Sequence, residues 1–299
     1  METKISTPTT HKSVLVQEVI QYLNPQPGKV YVDATFGGGG HSRAILDHEP
    51  QCSVIGIDWD EDSIIRHAPA LEEEYGDRLK ILWGNFANLH RLLKKEKIDR
   101  VDGILADFGT SQYQIFEKEG FSFRVDSPLD MRMSAAHQRL TAADVVNHFN
   151  EQALSKILWE LGEERGSRKI AHAIIEARKI NLFKTSGQLA QLIEKVIPFH
   201  GPRAIHPATK TFQALRIFVN KELENIKLFL PTAVGCLNAG GPLVCISFHS
   251  LEDRLVKTFF REKNHQLTTL TPKPVQASEE EIKQNPSSRS AKLRAATKI

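Results

Sequence analysis

Cysteine is scarce in this chain of 299 residues: Cys52, Cys236 and Cys245 form an odd set without Cys-x-x-Cys spacing. That argues against a disulfide framework or a zinc knuckle and suits a reducing compartment. Long apolar runs are missing as well, and nothing approaches the roughly 18–20 residues that span a bilayer. The first ten residues are polar and lack the apolar centre of a signal peptide. A cytoplasmic protein without membrane contact is therefore expected. No group of residues has metal-ligand spacing, so no metal is expected either. An excess of one charge is also lacking, since the net charge is only +3. The distribution is uneven, however. Residues 132–221 hold 14 Lys/Arg against 7 Asp/Glu, which makes the middle of the chain a basic footprint suited to a polyanion.

What is present is an alternation of apolar strands and amphipathic helices. His11 to Leu23 has helical spacing and stops before Asn24-Pro25. Short buried strands follow at Lys29–Asp33, Ser53–Asp58, Arg78–Leu82 and Val101–Asp107, with helical stretches between them. This rhythm predicts an α/β domain whose parallel sheet is covered on both faces. After Asp107 the rhythm breaks, and the next strong strand is Pro242–Phe248. One crossover helix cannot fill that gap. Helical character dominates it: Thr141 to about Leu161, Glu164–Lys179, Ser186–Ile197, and Thr209–Leu230 as the return to the sheet. The expected organisation is a core at 1–133, a helical insertion at 134–205, and the rest of the core at 206–299 with a basic C-terminal tail. That tail, from Lys283 onward, carries no acid and reads either as a segment ordered by a partner or as a solvated terminus.

The first strand runs into Asp33-Ala34-Thr35-Phe36-Gly37-Gly38-Gly39-Gly40-His41-Ser42. A dinucleotide loop would read Gly-x-Gly-x-x-Gly, but from Gly37 the third position is Ser42 and from Gly38 it is Arg43. Asp58 ends the second strand, 18 residues after Gly40, where a carboxylate can accept both ribose hydroxyls. Phe86 follows the third strand, where a ring can pack on adenine, and Asp107 ends the fourth. Three acids at strand ends suit a ligand with a sulfonium, an ammonium and ribose hydroxyls, and would repel a pyrophosphate. The pattern therefore favours S-adenosylmethionine over NAD. Spacing alone leaves the methyl acceptor open: a nucleic-acid amine, a protein amide, or none at all in an RNA-binding factor that keeps only the fold. The exocyclic-amine signature Asp/Asn-Pro-Pro-Tyr/Phe is absent after the fourth strand, where Asp107-Phe108-Gly109-Thr110 stands.

Longer strings carry a resemblance. These are His11–Leu15, the Asp33–Ser42 turn, Gly120-Phe121-Ser122-Phe123, Pro128–Met133, Gly162–Arg165, His206–Ile217, Ser247–Arg254 and Asn285–Arg294. Together they make the chain closely similar to the bacterial RsmH (MraW) family, which methylates N4 of a cytidine in the decoding centre of 16S ribosomal RNA. The resemblance implies a class I (Rossmann-like) S-adenosylmethionine methyltransferase fold with an inserted all-helical domain. It places Gly39, Gly40 and His41 against the methionine part of the cofactor, Asp58 on the ribose and Phe86 at the adenine, with Asp107 and Gln114 completing the site. The implied partner is 16S rRNA within the small ribosomal subunit. This chain departs from the family pattern at Phe108, Thr110 and Gln112, at Glu119 and Lys210 and Ser287 (each where Arg is usual), and at Ser127 in place of Gly.

Cytosine N4 is a poor nucleophile because its lone pair delocalises into the ring, so an acceptor for its proton would help. Asp107, Asp130 and His249 are the candidates, with Asp130 beside Arg132 also readable as an ion pair and His249 as a strand-end residue. The expected RNA contacts are Arg165, Arg168, Lys169, Lys210 and Arg216, together with Arg289, Lys292 and Arg294 in the tail.

Overall fold

The structure is a computed structural model and describes residues 12–109, 119–198 and 206–299. The chain divides into two compact units, Met1–Gly109 with Ile226–Ile299, and Thr110–Asn225.

The first unit is an α/β sandwich. Its strands are β1 (Val30–Asp33), β2 (Ser53–Asp58), β3 (Leu79–Trp83), β4 (Gly103–Asp107), β5 (Pro242–Ser247), β6 (Leu267–Thr269), β7 (Val275–Gln276) and β8 (Lys292–Lys298). They form one sheet in the order β3-β2-β1-β4-β5-β8-β6, with β7 also pairing β8. The first five are parallel neighbours, and β8 runs antiparallel between β5 and β6. An NAD-binding sheet adds its sixth strand parallel in the order 3-2-1-4-5-6. The antiparallel strand wedged into this edge separates the two folds. It is the class I methyltransferase arrangement.

Side chains alternate between two buried faces. Val32, Ile55, Ile57, Ile104, Ala106, Leu243 and Cys245 point to one. Tyr31, Val54, Leu105, Val244, Ile246, Leu293 and Ala295 point to the other. Burial on both faces is why the strands read as unbroken apolar runs. Helix α1 (Val16–Leu23) precedes β1, and α2 (Gly40–His48), α3 (Glu61–Tyr75) and α4 (Leu89–Lys95) follow β1, β2 and β3 in turn. Strand order reverses between β1 and β4, so the carboxyl ends carrying Asp33 and Asp107 lie side by side at the switch point, where such sheets bind ligands.

The C-terminal segment corrects the expectation of a solvated or partner-ordered tail. Lys292–Lys298 is the antiparallel strand itself, with Leu293, Arg294, Ala295 and Ala296 all buried. Alanines fit a strand covered on both sides, and the flanking lysines and arginines disguised it as a polar tail.

The second unit contains α5 (Ala142–His148), α6 (Glu151–Gly162), α7 (Ser167–Arg178), α8 (Ser186–Val196) and α9 (Ala208–Asn220). Capping boxes at Thr141/Asp144 and Thr185/Gln188 start α5 and α8. Asn150 accepts from Ala153 N and starts α6, which splits the single helix expected from Thr141 to Leu161. Leu154, Leu158, Ile170, Ile174, Leu189, Ile193, Phe212 and Leu215 form a core of its own.

This unit is wider than the expected 134–205 at both ends. Leu129 and Met131 belong to its core, and Asn220 ties them in by donating Nδ2 to Met131 O and accepting from Met133 N, each at 2.8 Å. On the other side α9 packs on α6. A Cβ on Gly162 would come within 2.5 Å of Lys210 O, so the two backbones touch there. The run from Thr209 to Leu230 is broken at Lys221, whose φ of 52° ends α9. The segment that returns to the sheet is α10 (Glu222–Cys236), through Ile226, Phe229, Leu230 and Ala233. Ser127, which replaces a usual glycine, accepts from Gly120 N at 2.9 Å and steadies the turn before Asp130. The Glu119 side chain is exposed. Among the described residues no helix is long and apolar enough to cross a membrane.

Candidate cofactor-binding site

The turn after β1 is built by backbone bonds to both neighbouring strands. Ala34 N donates to Leu105 O and Phe36 N to Ile57 O, both at 2.8 Å. Gly39 then takes φ 73° and starts α2, with its N–H on Phe36 O. Gly39 and Gly40 are crowded, so a side chain at either would force a neighbour to shift. A Cβ on Gly39 would lie 2.4 Å from Leu71 Cδ1, and one on Gly40 would lie 2.3 Å from Ser13 Oγ. Gly37 differs: φ is 52°, and a Cβ there would meet nothing nearer than Thr35 O at 3.8 Å. The turn is thus closed by protein at its rear and open at Gly37.

Three acids surround it. Asp33 is fully buried, accepts from Ser42 Oγ at 2.8 Å and from Thr35 N at 3.2 Å, and burial raises its pKa. Asp58 accepts from Gly37 N at 2.7 Å and from Asp60 N at 2.9 Å. Burial pushes Asp58 up to about 6 despite these two bonds. Asp107 is fixed through its backbone N–H, which donates to Thr35 Oγ1 at 2.7 Å. In the first turn of α2, His41 is 5% exposed, and its Nε2 lies 3.5 Å from Asp107 Oδ2. Burial opposes a charge on this imidazole, but Asp107 first and Asp33 next outweigh it and hold its pKa above the ordinary value. Asp107 Oδ1 and His41 Nδ1 are buried without a hydrogen-bond partner in the structure. Buried polar atoms are normally satisfied, so such pairs of orphans mark a place built for a ligand's donors and acceptors.

Aromatic rings gather where the chain leaves β3 and β4. Phe86 follows β3 in a turn capped by Asn85, whose side chain accepts from Ala87 N. Its ring stands 5.9 Å from Phe108 and 5.3 Å from Phe229, edge-on to the latter. The departure at Phe108 therefore adds an aromatic to this cluster. Thr35, Ser42 and Ser63 are supporting residues that sequence reasoning passed over; Ser63 Oγ donates to Gly37 O at 2.9 Å. Their hydroxyls act across the fold, which residue order does not reveal. Gln114 lies outside the described residues.

As the expected ribose ligand, Asp58 gives the site a pH dependence. Accepting ribose hydroxyls requires the carboxylate, whereas the free site holds a proton there below about pH 6. Donor affinity should be flat above pH 6 and fall by up to about tenfold per unit below it, with about one proton released on binding in acid. Calorimetric titrations at pH 5, 6 and 7.5, in buffers of differing ionisation enthalpy, read both effects. Affinity rising toward acid would contradict the assignment.

Asp130 is bound within the other unit, whereas His249 is engaged through Nδ1 and keeps a buried Nε2, 3.1 Å from Glu252 Oε1, without a hydrogen-bond partner among the described residues. Asp130, in the helical unit, is gripped by Arg132 through Nε at 2.8 Å and Nη2 at 2.7 Å. His249 caps α11 (Ser250–Glu262): its ring accepts from Glu252 N, and Glu252 Oε2 accepts from Phe248 N at 2.7 Å. Of the three, only Asp107 stands at the glycine turn.

The model of the MraW methylase family matches residues 8–299. The chain belongs to the MraW methylase family. Among its relatives is the ribosomal RNA small subunit methyltransferase H of Thermotoga neapolitana, 46% identical, with 96% of this chain and 95% of that protein aligned. Proteins of the same name from Carboxydothermus hydrogenoformans (44%; 97% and 98% covered) and Bradyrhizobium diazoefficiens (46%; 96% and 91% covered) are similar over comparable spans.

The basic residues of this MraW-family chain separate into two sets. Arg165, Arg168, Lys169 and Lys210 are exposed on the helical unit, and Arg289 is exposed on the sheet unit, where Lys292 is half-buried. Lys210 also donates to Glu163 O at the end of α6, at 3.1 Å. Arg216 and Arg294 do not fit the expected RNA contacts. Arg216 forms a two-pronged pair with Glu222, both contacts at 2.9 Å. Arg294 is 6% exposed and bound to Asp253 through Nε at 2.6 Å and Nη2 at 3.2 Å. Their guanidinium groups hold the fold together.

Proposed function

We propose that the chain transfers the methyl group of S-adenosylmethionine to N4 of a cytidine in the decoding centre of 16S ribosomal RNA. The observation that carries this reading is the ring of Asp33, Asp58 and Asp107 around an open glycine turn at the switch point of a methyltransferase sheet. The family supplies the acceptor. The donor brings a methyl group already activated on a sulfonium, so the protein's task is mainly positioning. The N4–C bond forms as the S–C bond breaks, the bonding pair returns to sulfur, and N4 gives up a proton.

Asp58 would hold the ribose, Phe86 and Phe108 would flank the adenine, and Gly39, Gly40 and His41 would bound the methionine end. Asp107, with one carboxylate oxygen unpartnered, is the best placed of the three candidates to accept a hydrogen bond from N4. That bond localises the nitrogen lone pair and takes up the proton. The target base must leave its stack to reach a strand-end site. The exposed Arg165, Arg168, Lys169 and Lys210, with Arg289 and Lys292, supply phosphate contacts, and the reaction belongs to the cytoplasm.

Tritium transfer from labelled donor to small subunits lacking this methyl tests the reading. Label confined to one cytidine of 16S RNA is expected. Label in protein, or none with a folded chain, would overturn it.

A further inference from the structure

Two strings that the chemistry above leaves unused, one near each end of the chain, meet at the glycine turn. Ser13 sits directly on Gly40, since a Cβ on that glycine would fall 2.3 Å from Ser13 Oγ and 3.3 Å from Ser13 Cβ. Val14 and Leu15 are buried in the same cluster as Phe36, Ile45 and Leu46 of the turn and α2. Leu15 holds φ 52°, an uncommon conformation for a leucine, with its side chain fully buried. Residues 12–15 are therefore pressed onto the start of α2 in a conformation that something must maintain.

The C-terminal segment maintains it. After β7 the chain forms a short helix, α12 (Glu279–Gln284), and a tight turn before β8. Glu281 Oε1 accepts from Leu15 N at 2.8 Å, and Asn285 Nδ2 donates to Lys12 O, also at 2.8 Å. Asn285 is itself 3% exposed, and its carbonyl accepts from Ser288 Oγ at 2.8 Å. Glu281 is also close enough to act on His41, reinforcing the effect of Asp107 and Asp33 on that imidazole.

We propose that Glu281 and Asn285 are positioning residues for the methyl-donor site. By clasping residues 12–15 they seat Ser13 on Gly40 and fix the first turn of α2, which carries His41 to Asp107. Neither residue is assigned a contact with the donor itself. The proposal rests on the reading of the glycine turn as the donor site. It gives a role in the reaction to the segment from Glu279 to Ser290, far away in sequence.

The test is Asn285→Ala in the full chain, with Asn285→Asp as a same-size variant that puts an acceptor against Lys12 O. Calorimetry with S-adenosylhomocysteine should show binding weakened by about tenfold, the scale of one lost buried hydrogen bond. Hydrogen exchange at residues 12–15 should rise in the free protein. In turnover, KM for S-adenosylmethionine should rise by a similar factor, with kcat within about twofold. Lys283→Ala, on the exposed side of the same helix, should match wild type. Should Asn285→Ala not fold, Glu281→Ala, which frees Leu15 N, carries the same expectation.

Unchanged affinity in the Asn285 variants would overturn the clasp, whether or not exchange rises. A loss confined to kcat would overturn it as well. A wild-type chain that binds no S-adenosylhomocysteine would remove the donor-site reading and the clasp with it. Wild-type binding with unshifted variants would remove the clasp alone.

Discussion

Asp58→Ala should weaken S-adenosylmethionine binding by a factor on the order of 10²–10³. The carboxylate ends β2 facing the turn, and two backbone donors already orient it, Gly37 N at 2.7 Å and Asp60 N at 2.9 Å. Each hydrogen bond from a ribose hydroxyl to a charged acceptor is worth about 1.5–3 kcal/mol. Losing two such bonds, even partly offset by water, gives the stated range. The substitution also leaves Gly37 N without its acceptor, loosening a glycine with open space in front of it. The loss should lie in donor affinity, read by calorimetry or as KM, because the ribose is remote from the bonds that change. Affinity within threefold of wild type would remove Asp58 from the site. Asp58→Asn should fall between the two, since its amide keeps one acceptor and loses the charge.

The strand-end acids around the glycine turn are legible in the sequence. Asp33, Asp58 and Asp107 could be placed at strand ends because strands buried on both faces announce themselves as short apolar runs, and an acid closing such a run has one place to go. The glycine frame could be tested against dinucleotide loops from spacing alone. What spacing could not reveal is that Gly39 and Gly40 are crowded by Leu71 and Ser13, residues distant in sequence. The same limit applied to Thr35 and Ser42, whose hydroxyls bind Asp107 N and Asp33 across the fold.

The helical unit was legible as helices and misjudged in extent. Apolar periodicity continues through Lys221 without interruption, so the break there, set by a left-handed backbone rather than by glycine or proline, left no sequence mark. Leu129 and Met131 join that unit's core from an irregular segment with no period to read. Asp130 and Arg132 illustrate the other ambiguity. Two neighbouring opposite charges fit a catalytic acid and a plain ion pair equally well in sequence, and the structure shows a two-pronged pair.

Arg294 is where sequence and structure diverge most, and it carries the largest expected effect on stability. A basic segment with no acids reads as a nucleic-acid contact, and its removal would then weaken RNA binding while leaving the fold intact. In the structure Arg294 sits in the middle of β8, paired in register with Cys245, and its guanidinium is bound to Asp253 in the first turn of α11. Both side chains are nearly buried, at 7% and 14% exposure. Arg294→Ala would strand the Asp253 carboxylate in that setting, and breaking a buried pair from one side costs about 3–5 kcal/mol. At about 2–4 °C per kcal/mol for a domain of this size, the unfolding midpoint should drop by roughly 6–20 °C. The double variant Arg294→Met/Asp253→Leu removes both charges and should recover most of the loss, because the penalty comes from the orphaned acid rather than from the missing bridge. RNA affinity of the folded double variant, and its dependence on salt, should match wild type. A midpoint unchanged in Arg294→Ala, accompanied by weaker RNA binding and a shallower salt slope, would return this arginine to the RNA-binding surface.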